Sequence, residues 1–83
     1  MNTNRLKWAC RRGMLELDLI LLPFLENVFP RLEKNEQLLF EKLLEGEDQD
    51  MFNWFLRKAD PEEEDLKIIV GIIRDNTGLK VKN

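Results

Sequence analysis

The 83-residue sequence contains no histidine, no tyrosine and no serine, and its threonines are Thr3 and Thr77, near the two ends. Neither a Ser/His/Asp nor a Cys/His nucleophile pair can be assembled from such a chain. Cysteine is reduced to Cys10. An intramolecular disulfide is therefore impossible, an ordinary structural zinc site lacks its ligands, and a reducing compartment is the expected setting. Four glycines and three prolines are scattered along the chain, and no glycine-rich phosphate loop is among them. The longest apolar run, "LILLPFL" at 19–25, falls well short of the roughly 20 residues that span a bilayer. The opening "MNTNRLKWAC" carries no apolar stretch of signal-peptide length. Together these predict a cytoplasmic protein without membrane insertion.

What is present is charge and leucine. Charged residues make up 35% of the chain and hydrophobic ones 43%, a balance that suits a strongly helical domain. A chain of this length buries only about 60% of its unfolded surface, which leaves room for one core and none for a cleft between domains. The net charge of -3 argues against nucleic acid as the main partner, because phosphate binding needs concentrated Lys and Arg. The charge is unevenly spread: Arg5, Lys7, Arg11 and Arg12 meet no acid before Glu16, while residues 33–65 hold most of the acids.

Hydrophobic periodicity predicts five short helices and no strand, hence an all-α, compact single-domain bundle over residues 1–78 with a flexible tail at 79–83. The first runs from Asn4 to Arg12 with Arg11 and Arg12 in its last turn, and Gly13 takes the C-terminal capping position. A second begins near Met14, carries Glu16 and Asp18 in its first turns, and is apolar on nearly every side from Leu17 to Leu25. It should be the central, most buried element, kinked by Pro23 near Leu19. A third spans 34–45, capped by Glu33 or Asn35, with Leu39, Phe40, Leu43 and Leu44 inward and Gly46 at its end. The fourth starts at Asp48, turns Met51, Phe52, Phe55 and Leu56 inward, and finishes at Arg57 and Lys58. In "DPEE" at 60–63, Asp60 reads as N-cap, Pro61 as the first helical residue and Glu63 as the returning arm of a capping box. The fifth helix points Leu66, Ile69, Val70 and Ile73 inward and stops at "NTG", residues 76–78. Connections of two to five residues make neighbours roughly antiparallel.

Candidate functional residues are few. Sixteen acids in a small helical protein read first as a solvated face, and Cys10 beside Ala9 reads as a core thiol before it reads as a reactive one. Trp54 suits the edge of the core. Trp8 lies among arginines and is balanced between packing and binding. There remains "RRGMLELD" at 11–18. As punctuation it is a cationic helix end, a glycine stop and an acidic helix start. As a recognition corner, Gly13 lets another backbone approach, Arg12 offers a planar fork of donors and Glu16 an acceptor. The residues alone leave both readings open.

The strings "WACRRGMLELD", "PFLE", "FEKLLE" and "DMFNWF" resemble the small succinate dehydrogenase assembly factors, the SdhE family of flavinylation factors, whose hallmark is an Arg-Gly-x-x-Glu motif. The resemblance covers roughly residues 5 to 74. It implies a five-helix, non-enzymatic, chaperone-like monomer that binds the flavoprotein subunit of succinate dehydrogenase, and in some bacteria of fumarate reductase. There it promotes covalent attachment of FAD to a histidine, holding no stable cofactor or metal of its own. The motif falls on Arg12, Gly13 and Glu16, with Arg11, Asp18 and Trp8 beside it as partner-binding residues. A chain without histidine cannot itself accept the flavin. Some relatives are named antitoxins, so a regulatory protein that binds a toxin or a cytoskeletal protein is the alternative. A nucleic-acid binder using Arg5, Lys7, Trp8, Arg11 and Arg12 is disfavoured by the acidic remainder.

Overall fold

Helix formation follows the apolar spacing closely but the helix ends do not always fall where local signals put them. The computed structural model describes residues 2–76, within which the elements are α1 (Thr3–Cys10), α2 (Leu15–Asn27), a 3-10 turn (Phe29–Arg31), α3 (Lys34–Leu43), α4 (Asp48–Phe55) and α5 (Glu64–Asp75). There is no strand among the described residues, and the expected all-α architecture of five short helices stands. The expected boundary at residue 78 and the tail 79–83 lie outside the described residues.

The hydrophobic stripes meet in one core: Leu6 and Cys10 from α1, Leu17, Ile20, Leu21, Phe24 and Leu25 from α2, Phe40 and Leu43 from α3, Met51 and Phe55 from α4, and Ile69, Val70 and Ile73 from α5. Phe40 holds the centre, with the rings of Phe24 and Phe29 each 5.3 Å away, a spacing at which tilted aromatic pairs attract. Helix α2 contributes the most to this core, as its composition suggested, yet it is not buried all round. Leu15 and Leu19 are 67% and 65% exposed. The helix runs through Pro23, which sits exposed on the outer side.

Four local expectations are corrected. First, α1 ends at Cys10, and Arg11 is already extended at φ -91°, ψ 98°, so neither Arg11 nor Arg12 lies in a helical turn. Second, α3 stops at Leu43 and α4 at Phe55. Leu56 is exposed and not inward, and Arg57 turns the chain with φ 63°. Third, α5 does not begin at Asp60. Its N-cap is Glu63, and Pro61 is buried ahead of it. The physical reason is Arg74, which reaches back from the last turn of α5 and donates to the carbonyls of Trp54 (2.8 Å) and Ala59 (3.0 Å) and to Asp60 (3.0 Å). That clamp keeps residues 56–63 as a longer connection than the two to five residues expected. Fourth, the 3-10 turn at Phe29–Arg31 went unread because three residues are too few to show a period. The start of α3 agrees with expectation: Glu33 and Glu36 form a reciprocal capping box.

Candidate partner-binding site

The motif corner is the four-residue connection between α1 and α2, and Arg12 is its fixed point. Its side chain is only 15% exposed. The guanidinium donates through Nε to Asp48 Oδ1 (2.7 Å), through Nη1 to the carbonyls of Ala9 (2.9 Å) and Leu44 (2.8 Å), and through Nη2 to the carbonyl of Gly46 (2.7 Å). Four of the five donors that a guanidinium owns are thus spent inside the chain. The partners have a common origin. Ala9 lies in the last turn of α1, and Leu44 and Gly46 follow the end of α3, where carbonyls lack intrahelical donors and the helix dipole is negative. Asp48 opens α4, where negative charge is favoured. One arginine therefore satisfies three helix ends at once.

Asp18 is committed as well. Its Oδ1 accepts the backbone N–H of Arg12 at 2.9 Å, folding the connection down over the start of α2. The fork that the sequence offered to a partner, and the acid beside it, are structural ties that hold the corner.

What the ties hold up is Gly13, Glu16 and their neighbours. Gly13 adopts φ +83°, the left-handed region that costs a side-chain-bearing residue roughly 1–2 kcal/mol. A Cβ placed on it would meet no atom within 4 Å, so its glycine is required by backbone conformation and not by crowding within the chain. The open side faces solvent. Glu16 is exposed in the first turn of α2, and no hydrogen bond or ion pair ties it to another described residue. On the α1 side Trp8 is 73% exposed, and the Arg11 guanidinium lies 6.0 Å from its ring centroid, at the edge of cation–π range. Trp54, by contrast, packs against the core.

Cys10 is fully buried beneath the corner. Burial pushes its thiol up from 9.0 to about 11, Asp18 adding to the rise and the Arg12 cation opposing it. A thiol so placed is a core side chain and a poor nucleophile. Among the described residues no group of three or more His, Cys, Asp or Glu is placed to hold a metal ion, and no helix is long and apolar enough to cross a membrane.

Sequence reasoning missed Asp48, Leu15 and Leu19. Asp48 was readable only as a helix start, because its partner is 36 positions away. Leu19 was absorbed into the stretch from Leu17 to Leu25 that reads as apolar on nearly every side, and Leu15, ahead of that stretch, carried no signal of its own.

The fold and this corner define a small all-α protein whose first interhelical connection is tied down by Arg12 and Asp18 and exposes a glycine backbone, an acid with no partner among the described residues and a tryptophan. The chain belongs to the family described as flavinator of succinate dehydrogenase, whose model matches residues 4–77. It is 54% identical over 71 residues to the FAD assembly factor SdhE of Pseudomonas aeruginosa, a match covering 86% of this chain and 84% of that protein. The FAD assembly factor SdhE of Pseudomonas putida is 49% identical over 72 residues, 87% of this chain and 86% of that protein. That of Colwellia psychrerythraea is 44% identical over 73 residues, 88% and 80% of the two chains.

Proposed function

We propose that this protein is an FAD assembly factor that docks its Gly13 corner on the flavoprotein subunit of succinate dehydrogenase and acts as a non-catalytic helper while FAD becomes covalently attached to a histidine of that subunit. The observation that carries the reading is the division of labour within one motif: Arg12 and Asp18 are spent holding the corner, whereas Gly13 and the Glu16 side chain are exposed with no partner among the described residues. Membership of the family described as flavinator of succinate dehydrogenase supports the choice of client.

The chain contains no histidine and cannot be the acceptor of a histidyl–flavin bond. Its part in this reading is binding and orientation. A glycine corner in open space admits the client's backbone closely, and Glu16 accepts from a client donor a few ångströms further along α2. By fixing one arrangement of the client, such a contact relieves it of the search for the geometry in which its reacting groups meet, an effect worth several kcal/mol at best, up to about 7–11 in well-oriented systems.

The test is covalent flavin on the flavoprotein subunit, read as ultraviolet fluorescence of the denatured gel band, in cells lacking the factor and complemented with wild type, Gly13→Ala or Gly13→Arg. Wild type restores the band. Gly13→Arg loses it while its circular dichroism stays helical, because the new side chain fills the approach to the client and only open space within the chain. Gly13→Ala, which adds backbone strain but little bulk, keeps a substantial part. Full activity of Gly13→Arg would refute docking at this corner.

A further inference from the structure

The outer face of α2 is apolar where a solvated helix would be polar. At about 100° per residue, Leu15, Glu26, Leu19, Pro23 and Glu16 fall within one arc of roughly 100°, and all five are exposed. The core residues Leu17, Ile20, Leu21, Phe24 and Leu25 occupy the opposite side. Glu16 of the motif thus shares its face with Leu19, one turn further on, and Leu15 stands between Glu16 and Gly13 in the chain with only Met14 intervening. On the other flank of the same corner is Trp8, 73% exposed.

We infer that Leu15 and Leu19, together with Trp8, are the apolar anchors of the client interface, and that the contact surface runs from the Gly13 corner along the outer face of α2. This rests on the proposed function and names the residues that supply its binding energy. Interfaces place aromatic and aliphatic anchors at the centre and charged groups at the rim. Glu16 on one side and Arg11 on the other serve as that rim, setting register, while the leucines and the indole supply contact area.

The occupant is the flavoprotein subunit and not a second copy. Three side chains expose roughly half of the ~800 Å² that each partner of a standard stable interface buries. A twofold dimer would set this patch against its own copy, leucine and glutamate facing leucine and glutamate, between two chains that each carry a net charge of -3. A larger client can cover the leucines, the Gly13 backbone and the charged rim together.

The experiment titrates purified flavoprotein subunit lacking covalent flavin with wild type, the double variant Leu15→Ser/Leu19→Ser, Gly13→Arg, and Leu38→Ser as a control, Leu38 being an exposed leucine on α3. The double variant should bind at least about tenfold more weakly, with Leu38→Ser unchanged. Undiminished binding by the double variant, with Gly13→Arg still impaired, overturns the anchor inference and leaves the corner reading standing. If wild type does not bind, both fall. Equal loss in Leu38→Ser overturns the placement, and so does a wild-type dimer, seen by light scattering, that the double variant abolishes. A footprint guards against misfolding: because Cys10 is fully buried, Leu19→Cys carries one accessible thiol, which the client should shield from alkylation while a thiol at Leu38→Cys stays reactive. An unshielded thiol at 19 in the bound complex overturns the inference independently.

Discussion

Two connections in this molecule are pinned by an arginine, and they differ in what they show to solvent. Arg74 reaches back from α5 and fastens residues 56–63 through Trp54, Ala59 and Asp60. Arg12 fastens the α1–α2 corner through Ala9, Leu44, Gly46 and Asp48. Around Arg74 the exposed surface is a loop carrying Leu56, Arg57 and Lys58 together with acids, some of them already paired, as Glu63 and Asp65 are with Lys42. Around Arg12 the exposed surface is a left-handed glycine, a glutamate with no partner among the described residues, two leucines and a tryptophan. The comparison separates holding from displaying: both arginine clamps are structural devices, and the two regions differ in what the clamp presents.

Breaking the two clamps in parallel is the sharpest test. Arg12→Ala leaves three partly buried carbonyls and a carboxylate without their donor; water entering the space of the lost side chain offsets most of the roughly 1–3 kcal/mol that each orphan would cost if it stayed fully buried. Stability should fall by about 2–3 kcal/mol, a drop in Tm of about 10–20 °C for a domain of this size, and flavinylation of the client should fail even below the new Tm. Arg74→Ala should also lower Tm, by less because its Asp60 partner is solvent-exposed, and flavinylation below that Tm should persist. Equal functional loss in both would mean that the clamps matter only through global stability. Arg12→Lys should not rescue, since one ammonium cannot reach three helix ends.

Glu16→Ala sharpens the contrast from the other side. Removing an exposed acid with no partner among the described residues should move Tm by no more than about 2 °C while weakening client binding and flavinylation. A large fall in Tm would return Glu16 to a role as helix punctuation. The smallest effect is expected at Cys10. Its thiol is raised from 9.0 to about 11 in the fold, so the native state holds its proton more tightly than the unfolded chain does. That stabilisation is complete below about pH 9 and is lost as pH rises toward 11. Wild type should therefore lose Tm over that interval more steeply than Cys10→Ala, and alkylation of Cys10 should proceed only on unfolding.

Much of the helical scaffold was legible because its signals are local. Leu39, Phe40, Leu43 and Leu44 mark a stripe wherever they occur, and Glu33 with Glu36 caps α3 without help from the rest of the chain. The signals that misled were also local. "DPEE" is as clear a helix start as the sequence contains, yet Arg74, 14 residues from Asp60, claims that aspartate and delays the helix to Glu64. Arg11 and Arg12 suit a helix C-terminus, yet α1 ends before them, and the Arg12 side chain returns to the Ala9 carbonyl from outside the helix.

The sequence by itself determined the fold class, the family and the impossibility of a histidyl–flavin bond within this chain, because periodicity, motif spacing and the absence of a residue type do not depend on three-dimensional context. The tertiary structure alone decided which members of the motif face inward. Arg12 and Asp48 are far apart in sequence and meet at 2.7 Å, and hydrogen bonds between distant helix ends leave no period to read. That one contact converts Arg12 from an exposed fork into the mount of a surface on which Gly13, Glu16, Leu15 and Leu19 are exposed.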